Sequence, residues 1–305
     1  MNLPAVGTKQ QMGDYKQYIV NSFAEKGYRG NPAAVCIIGE GEELDLQKNK
    51  VLSAMQMQKI ASANNLSETA FCCCTHRDEY NPTFKIRWFT PGCEVSLCGH
   101  ATLASADILF AHYFKQAHSL LFESLSGELR VFRTEEGIIM MDFPKYDLEP
   151  VTEKKEYEAV IKALDLEENI NIDIYKGIDY VAVFEKAEDI INFKPNFEKI
   201  AALPGVRNLL ITACATSCTQ TSPTLSDNVQ DYDFVSRCFF PKEAINEDPV
   251  TGSAHCTLAP FWAERLNKNN LTAYQASSRG GILHLTVLPS RVLVGGRSAV
   301  VTVCV

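Results

Sequence analysis

Residues 237–255 read R-C-F-F-P-K-E-A-I-N-E-D-P-V-T-G-S-A-H, and residues 87–101 read R-W-F-T-P-G-C-E-V-S-L-C-G-H-A. Laid over one another, Arg87, Phe89 and Pro91 meet Arg237, Phe239 and Pro241. Glu94, Gly99 and Ala101 then meet Glu247, Gly252 and Ala254 with no gap between them, so only the loop after the proline differs in length. In each copy a glycine, then His100 or Ser253, then an alanine opens an apolar, small-residue-rich segment that reads as a helix. Two loop-to-helix entrances of one design predict duplicated halves that face each other.

Outward from these stretches the same order of elements recurs. Residues 15–23 alternate as a strand does and run into a turn, G-Y-R-G-N-P, rich in residues that break regular structure. Residues 33–38 follow as a second strand, and apolar spacing over residues 44–64 predicts an amphipathic helix. Residues 66–75 form a strand whose beginning carries a lone carboxylate, Glu68; residues 83–89 feed the first copy, and 99–114 read as a buried helix. Three β-like runs within residues 118–144 mark the crossover between halves. The second half offers helices over 154–164 and 187–203, the latter broken at Pro195, and strands near 180–184, 208–214 and 233–240. Residues 216–231 read as a polar loop, 252–266 as the second buried helix, and four strand-like runs close the chain. An α+β fold of two pseudo-symmetric β-barrel-like lobes, each around a central α-helix, is the economical architecture. The lobes would span residues 14–124 and 125–305, the last strand being free to return to the first lobe. A single α+β sheet domain with a chance match is the alternative.

The bulk properties narrow the function classes. Of 305 residues, 46% are hydrophobic and 22% charged, ordinary globular material; net charge is −8, with basic residues scattered. Nucleic acid and anionic membranes are therefore poor candidate partners. No signal-peptide pattern opens the chain and no apolar stretch is long enough to span a bilayer, so a soluble cytoplasmic protein is expected. Eleven cysteines, an odd number with Cys72, Cys73 and Cys74 adjacent, fit free thiols better than a disulfide framework. Cys93, Cys98 and His100 suggest zinc, but no paired C-x-x-C accompanies them, and no metal is expected.

A helix N-terminus presents unbonded backbone N–H groups and the positive end of the macrodipole, and so attracts anions. Two such ends, opening at Gly99 and Gly252, would hold a carboxylate or similar small anion between them; plain capping, with Ser253 as the cap, is the bland alternative. Glu68 is what the repeat does not copy. A single carboxylate facing an anion pocket suits a one-base proton shuttle, since partial burial lifts its pKa toward neutrality. His100 and Asp248 would supply a second acid/base group or orient the substrate. Neither a G-x-S-x-G elbow nor a dinucleotide or P-loop glycine pattern occurs, so Ser253 with His255 makes no convincing hydrolase pair. The R-G-G of Arg279–Gly281 reads as a hairpin turn.

These residues carry a resemblance. F-A-E-K-G-Y-R-G-N-P-A-A-V (residues 23–35), N-L-S-E-T-A-F (65–71), the first repeat copy, L-S-G-E-L (125–129), E-D-P-V-T-G-S-A-H (247–255) and S-R-G-G (278–281) together resemble the phenazine-biosynthesis PhzF-like isomerase family, and within it the animal-type phenazine biosynthesis-like domain proteins. Residues 151–231 match poorly. The resemblance implies a diaminopimelate-epimerase-like fold and a cofactor-independent isomerase, usually a homodimer, acting on a small carboxylate-bearing substrate. Position by position it implies Glu68 as general acid/base; His100, Asp248 and Ser253 as polar site residues; and Gly99, with Gly252 opposite, at the close-approach positions. Two other readings stay open: a non-catalytic ligand- or protein-binding member of the fold, and a two-base racemase or epimerase. The wider superfamily's two-thiol racemases place a cysteine at each helix entrance, where this chain has Cys98 and Thr251.

Overall fold

The computed structural model describes residues 15–39, 52–166, 172–205, 208–217, 229–243 and 245–304. Its strands form one continuous sheet, and their pairing repeats step for step. In the first half, Tyr15–Ser22 lies antiparallel to Asn31–Ile38, which lies parallel to Glu68–His76 after a crossover containing the Ala54–Asn64 helix. Glu68–His76 is antiparallel to Thr83–Phe89, which lies parallel to Ser119–Ser124 after a crossover containing the first central helix, Gly99–Ile108. Gly127–Arg133 and Ile139–Pro144 continue as an antiparallel meander.

The second half follows the same itinerary. Asp173–Lys176 pairs antiparallel with Tyr180–Val183, which is parallel to Leu209–Cys214, itself antiparallel to Phe234–Phe239. Phe234–Phe239 is parallel to Asn270–Gln275, across a crossover containing the second central helix, Gly252–Leu266, and Gly281–Val287 and Arg291–Gly296 complete the meander. Ile139–Pro144 pairs with Arg291–Gly296 and joins the halves, while Ser298–Cys304 returns to pair with Tyr15–Ser22. The fold is the expected one, two lobes of sheet each curled over a central helix.

Both central helices are buried nearly all round, which explains their composition. On the first, Ala101, Leu103, Ala104, Ala106 and Ile108 have no exposed surface, and small side chains let the strands approach. Its buried hydroxyls are satisfied inside the helix: Thr102 and Ser105 each donate to the carbonyl four residues back, at 2.7 Å. The second contains Pro260, which cannot donate to the carbonyl of Cys256. The backbone N–H of Tyr146 takes up that carbonyl at 3.2 Å, so the proline leaves no unsatisfied acceptor.

Some boundaries differ from the sequence reading. The described part of the first amphipathic helix is Ala54–Asn64, opened by a reciprocal capping box of Ser53 and Gln56. Residues 40–51 lie outside the described residues, as do residues 218–228 of the polar loop. The strand Asp173–Lys176, which sequence periodicity did not reveal, is only four residues long and polar at both ends. The first central helix ends in a π-turn, Leu109–Tyr113, closed by the Phe114 N–H on the Leu109 carbonyl at 2.7 Å. No helix among the described residues is long and apolar enough to cross a membrane. Among the described residues, the nine cysteines from Cys36 to Cys256 are free thiols.

Candidate active site

Both copies of the repeated stretch fold alike. Arg87 grips Glu94 through two hydrogen bonds of 2.7 Å, and Arg237 grips Glu247 through bonds of 2.7 and 2.9 Å. Each arginine also lies over the phenylalanine two residues on, Phe89 or Phe239, at 5.1 and 5.3 Å from the ring centroid. A bidentate Arg–carboxylate pair fixes distance and angle together. It therefore clamps the end of a strand to a point five residues before the helix, whatever the loop length between. This sets where each helix begins.

The helices begin at Gly99 and Gly252, and these two ends meet. A Cβ built on Gly99 would lie 3.7 Å from the Gly252 Cα, and one built on Gly252 would lie 3.8 Å from the Gly99 Cα. The residues ahead of them, Cys98 and Thr251, are extended and make no side-chain capping bond to the helix. Ser253 is therefore not the cap; it sits inside the first turn. Uncapped first-turn amides of two helices thus converge on one place.

That place is a cleft of about 170 Å³, and all six expected site residues, Glu68, Gly99, His100, Asp248, Gly252 and Ser253, line it. Glu68 heads the strand Glu68–His76 and carries a side chain only 12% exposed, so it is no solvent-facing edge residue. Its Oε2 stands 3.2 Å from His100 Nε2. In the second half, Leu209 pairs with Phe239 as Thr69 pairs with Phe89, so Asn208 occupies the position equivalent to Glu68. Asn208 instead donates to Asp179 in the lobe interior at 3.1 Å. The acid of the first half is an amide in the second.

Electrostatics correct one expectation. Burial alone would raise the pKa of Glu68, but the charge and hydrogen bond of His100 outweigh it and hold the carboxyl below its ordinary value. Burial disfavours a charged His100, yet Cys98 and Glu68 more than offset this and raise the imidazole well above its usual range. With burial pushing the Cys98 thiol up to about 11, the charges acting on His100 at neutral pH are those of Glu68 and Asp248. The carboxyl lifted toward neutrality is Asp248, at about 6, chiefly because protein atoms crowd it although the residue lines the cleft. Thr251 Oγ1 donates to Asp248 Oδ2 at 2.5 Å, and the buried Gln275 amide holds the Asp248 carbonyl at 2.8 Å.

Glu68, Cys98 and His100 bring ligand atoms within 4.8 Å of one another, a spacing open to a metal ion. Cys93, the third residue of the disfavoured zinc reading, is exposed and joined to the Thr90 hydroxyl at 3.6 Å, apart from the cleft. His255 is no partner for Ser253: its Nδ1 meets the Thr251 carbonyl at 2.7 Å, its Nε2 faces Ser236, and burial lowers its pKa to about 4. Arg279 reaches backbone carbonyls rather than an anion. Sequence reasoning missed Glu243 and Phe240, which also line the cleft, and Asn31, whose amide joins His100 to Asp248. Asn31 was visible only as part of a turn.

The profile of the family described as PhzC-PhzF, phenazine biosynthesis-like protein, matches residues 20–303. The chain belongs to that family. An "uncharacterized isomerase" of Halalkalibacterium halodurans is 37% identical over 288 residues, covering 93% of this chain and 95% of that protein. The human phenazine biosynthesis-like domain-containing protein is 38% identical over 298 residues, with 93% and 96% covered. A PhzF-family crystal structure from Enterococcus faecalis superposes with a TM-score of 0.77 at 39% identity, covering 96% of this chain and 98% of that one. A far weaker likeness to an epimerase structure, at 10% identity, concerns the fold alone. In this member of the phenazine biosynthesis-like family, the cleft lies at the seam between the two duplicated entrances.

Proposed function

We propose that the chain is a cofactor-independent isomerase that shifts a proton within a small carboxylate-bearing substrate. The observation that carries this reading is the Glu68–His100 pair, 3.2 Å apart, standing over two facing and uncapped helix N-termini. Among the described lining residues only His100 can carry positive charge, so backbone amides, not an Arg or Lys, would hold the substrate carboxylate. Glycines at both ends leave those amides open to a ligand.

In this scheme Glu68, ionised at neutral pH, accepts a proton from a carbon next to a double bond or carboxylate. The C–H electron pair moves into the neighbouring π system, and charge developing on oxygen is met by the helix amides. The proton returns at another carbon from Glu68, which regenerates the carboxylate. Where Asp248, near pH 6 protonated part of the time, gives the proton instead, the one held on Glu68 passes to solvent and Asp248 is reprotonated from solvent before the next cycle. The names borne by relatives, isomerase among them, support the reaction class. The two-thiol racemase is disfavoured, since Thr251 stands where the second thiol would be.

The test is solvent-deuterium exchange into small cyclic and amino carboxylic acids first selected by thermal shift. Glu68→Gln should lower exchange by about 10²–10⁴-fold while leaving ligand binding intact. Exchange unchanged in that variant would sink the scheme and leave the binding-module reading in its place.

A further inference from the structure

Asn31 ends the G-Y-R-G-N-P turn and has no exposed surface. Gly30 before it has φ +59°, where a Cβ would come within 2.0 Å of the Ser22 carbonyl oxygen, so the backbone delivers Asn31 to one fixed spot. There its Nδ2 lies 2.9 Å from Asp248 Oδ1, 2.9 Å from the Val250 carbonyl oxygen and 3.3 Å from His100 Nδ1. Its Oδ1 is buried with no hydrogen-bond partner among the described residues. A buried amide oxygen without a donor is a penalty that packing alone does not explain.

The orientation of this amide is determined by its neighbours. A backbone carbonyl can only accept, so the oxygen of Val250 requires the NH₂ end to face it. The same NH₂ group therefore faces His100 Nδ1; its two hydrogens have the Asp248 carboxylate and the Val250 carbonyl closer at hand, and its nitrogen accepts no proton, so a proton on Nδ1 would meet no acceptor there. The Cys98 sulfur, 3.5 Å from Nδ1, is a weak acceptor beside the carboxylate that Glu68 offers near Nε2. The proton of the neutral ring is thereby placed on Nε2, the atom 3.2 Å from Glu68.

We propose that Asn31 is a positioning residue for proton transfer: its amide selects the Nε2–H tautomer of His100, keeps that proton on the side of the ring near Glu68, and ties His100 to Asp248 in the other half of the duplication. The groups facing His100 are Glu68 from its strand, Cys98 ahead of the helix, and Asp248 from the second repeat. Glu68 draws the ring toward the imidazolium, while the Asn31 donor opposes a proton on Nδ1. The inference rests on reading Glu68 and His100 as the proton-transfer pair, but its test needs no turnover.

The experiment is a pH titration of the full-length protein labelled with ¹⁵N-histidine, with His100 assigned by its loss in His100→Gln. Above the pH at which the ring loses its second proton, the wild-type signal should show protonated Nε2 and bare Nδ1. Asn31→Ala should move the His100 midpoint upward by about one pH unit, a tenfold change in proton affinity. It should also lower kcat by about tenfold with KM little changed. A wild-type neutral ring protonated on Nδ1 overturns the proposal, and needs no variant to fold. An unmoved midpoint in folded Asn31→Ala overturns it as well. If Glu68→Gln leaves exchange intact, the isomerase scheme fails separately, and the tautomer result still decides the role of Asn31.

Discussion

Asp248 shows how the site's chemistry feeds back on stability. Its pKa rises from an ordinary 3.8 to about 6, mainly through burial. Below 3.8 the folded and unfolded chains both carry this proton, and above 6 neither does. Between those values the folded state binds more protons, so this group's contribution to stability falls as pH rises through the window. Asp248→Asn removes the titration while keeping an oxygen for Asn31. The stability of the variant relative to wild type should therefore improve by roughly 1–3 kcal/mol between pH 4 and pH 7, the lower figure allowing for water in the cleft. Urea unfolding of both proteins at the two pH values measures this. A relative stability that is flat or falls would show that Asp248 ionises freely. The single-residue level is also where sequence reading reached its limit. Glu68 was picked out as the unduplicated acid, yet its pKa moves down rather than up, because the deciding neighbour is an imidazole brought from residue 100.

At the level of elements, the duplicated Arg–Glu clamps are the units that place the helix ends. They are not equal. The side chains of Arg87 and Glu94 are 27% and 25% exposed, those of Arg237 and Glu247 only 10% and 16%. Arg237 also donates to the Ile190 and Phe193 carbonyls, at 3.3 and 2.6 Å. Removing one partner of a buried pair strands the other charge, whereas water rescues a half-exposed one. Arg237→Ala should thus destabilise by about 3 kcal/mol, and Arg87→Ala by about 1 kcal/mol. Chemical denaturation of the two variants settles the order, and equal losses would contradict this account. The clamps were legible as the paired R-x-F-x-P and Glu positions, and both central helices begin where the glycines said they would. The start of the first amphipathic helix was not, because apolar spacing runs through Leu52 and the capping box at Ser53 overrides it.

For the whole molecule, the question is what registers one half against the other. Arg279 of the second half donates to the carbonyls of Gly30 and Arg29, at 2.7 and 2.9 Å, and to Asn21 Oδ1 at 3.2 Å. The backbone N–H groups of Arg29 and Gly30 return bonds to Arg279 and Gly280. This latch sits one residue from Asn31, so it carries the first half's turn to the second half's Asp248. Arg279→Ala should lower stability by about 2 kcal/mol. The expected readout is a lower urea midpoint with the slope preserved. A midpoint within error of wild type would mean that the strand pairings alone set the register.

The duplication, the two central helices and the candidacy of Glu68, His100, Asp248 and Ser253 were legible in the sequence alone, since strand alternation, small-residue helices and an imperfect repeat are local patterns. Proton affinities, the partners of Asn31 and the contribution of Phe240 and Glu243 to the cleft were decided only by the tertiary structure. The physical reason is range. A helix start depends on neighbours a few residues away, whereas a pKa or a tautomer depends on charges and donors within about 4 Å in space. Asn31 and Asp248 lie 217 positions apart in the chain and 2.9 Å apart in the fold.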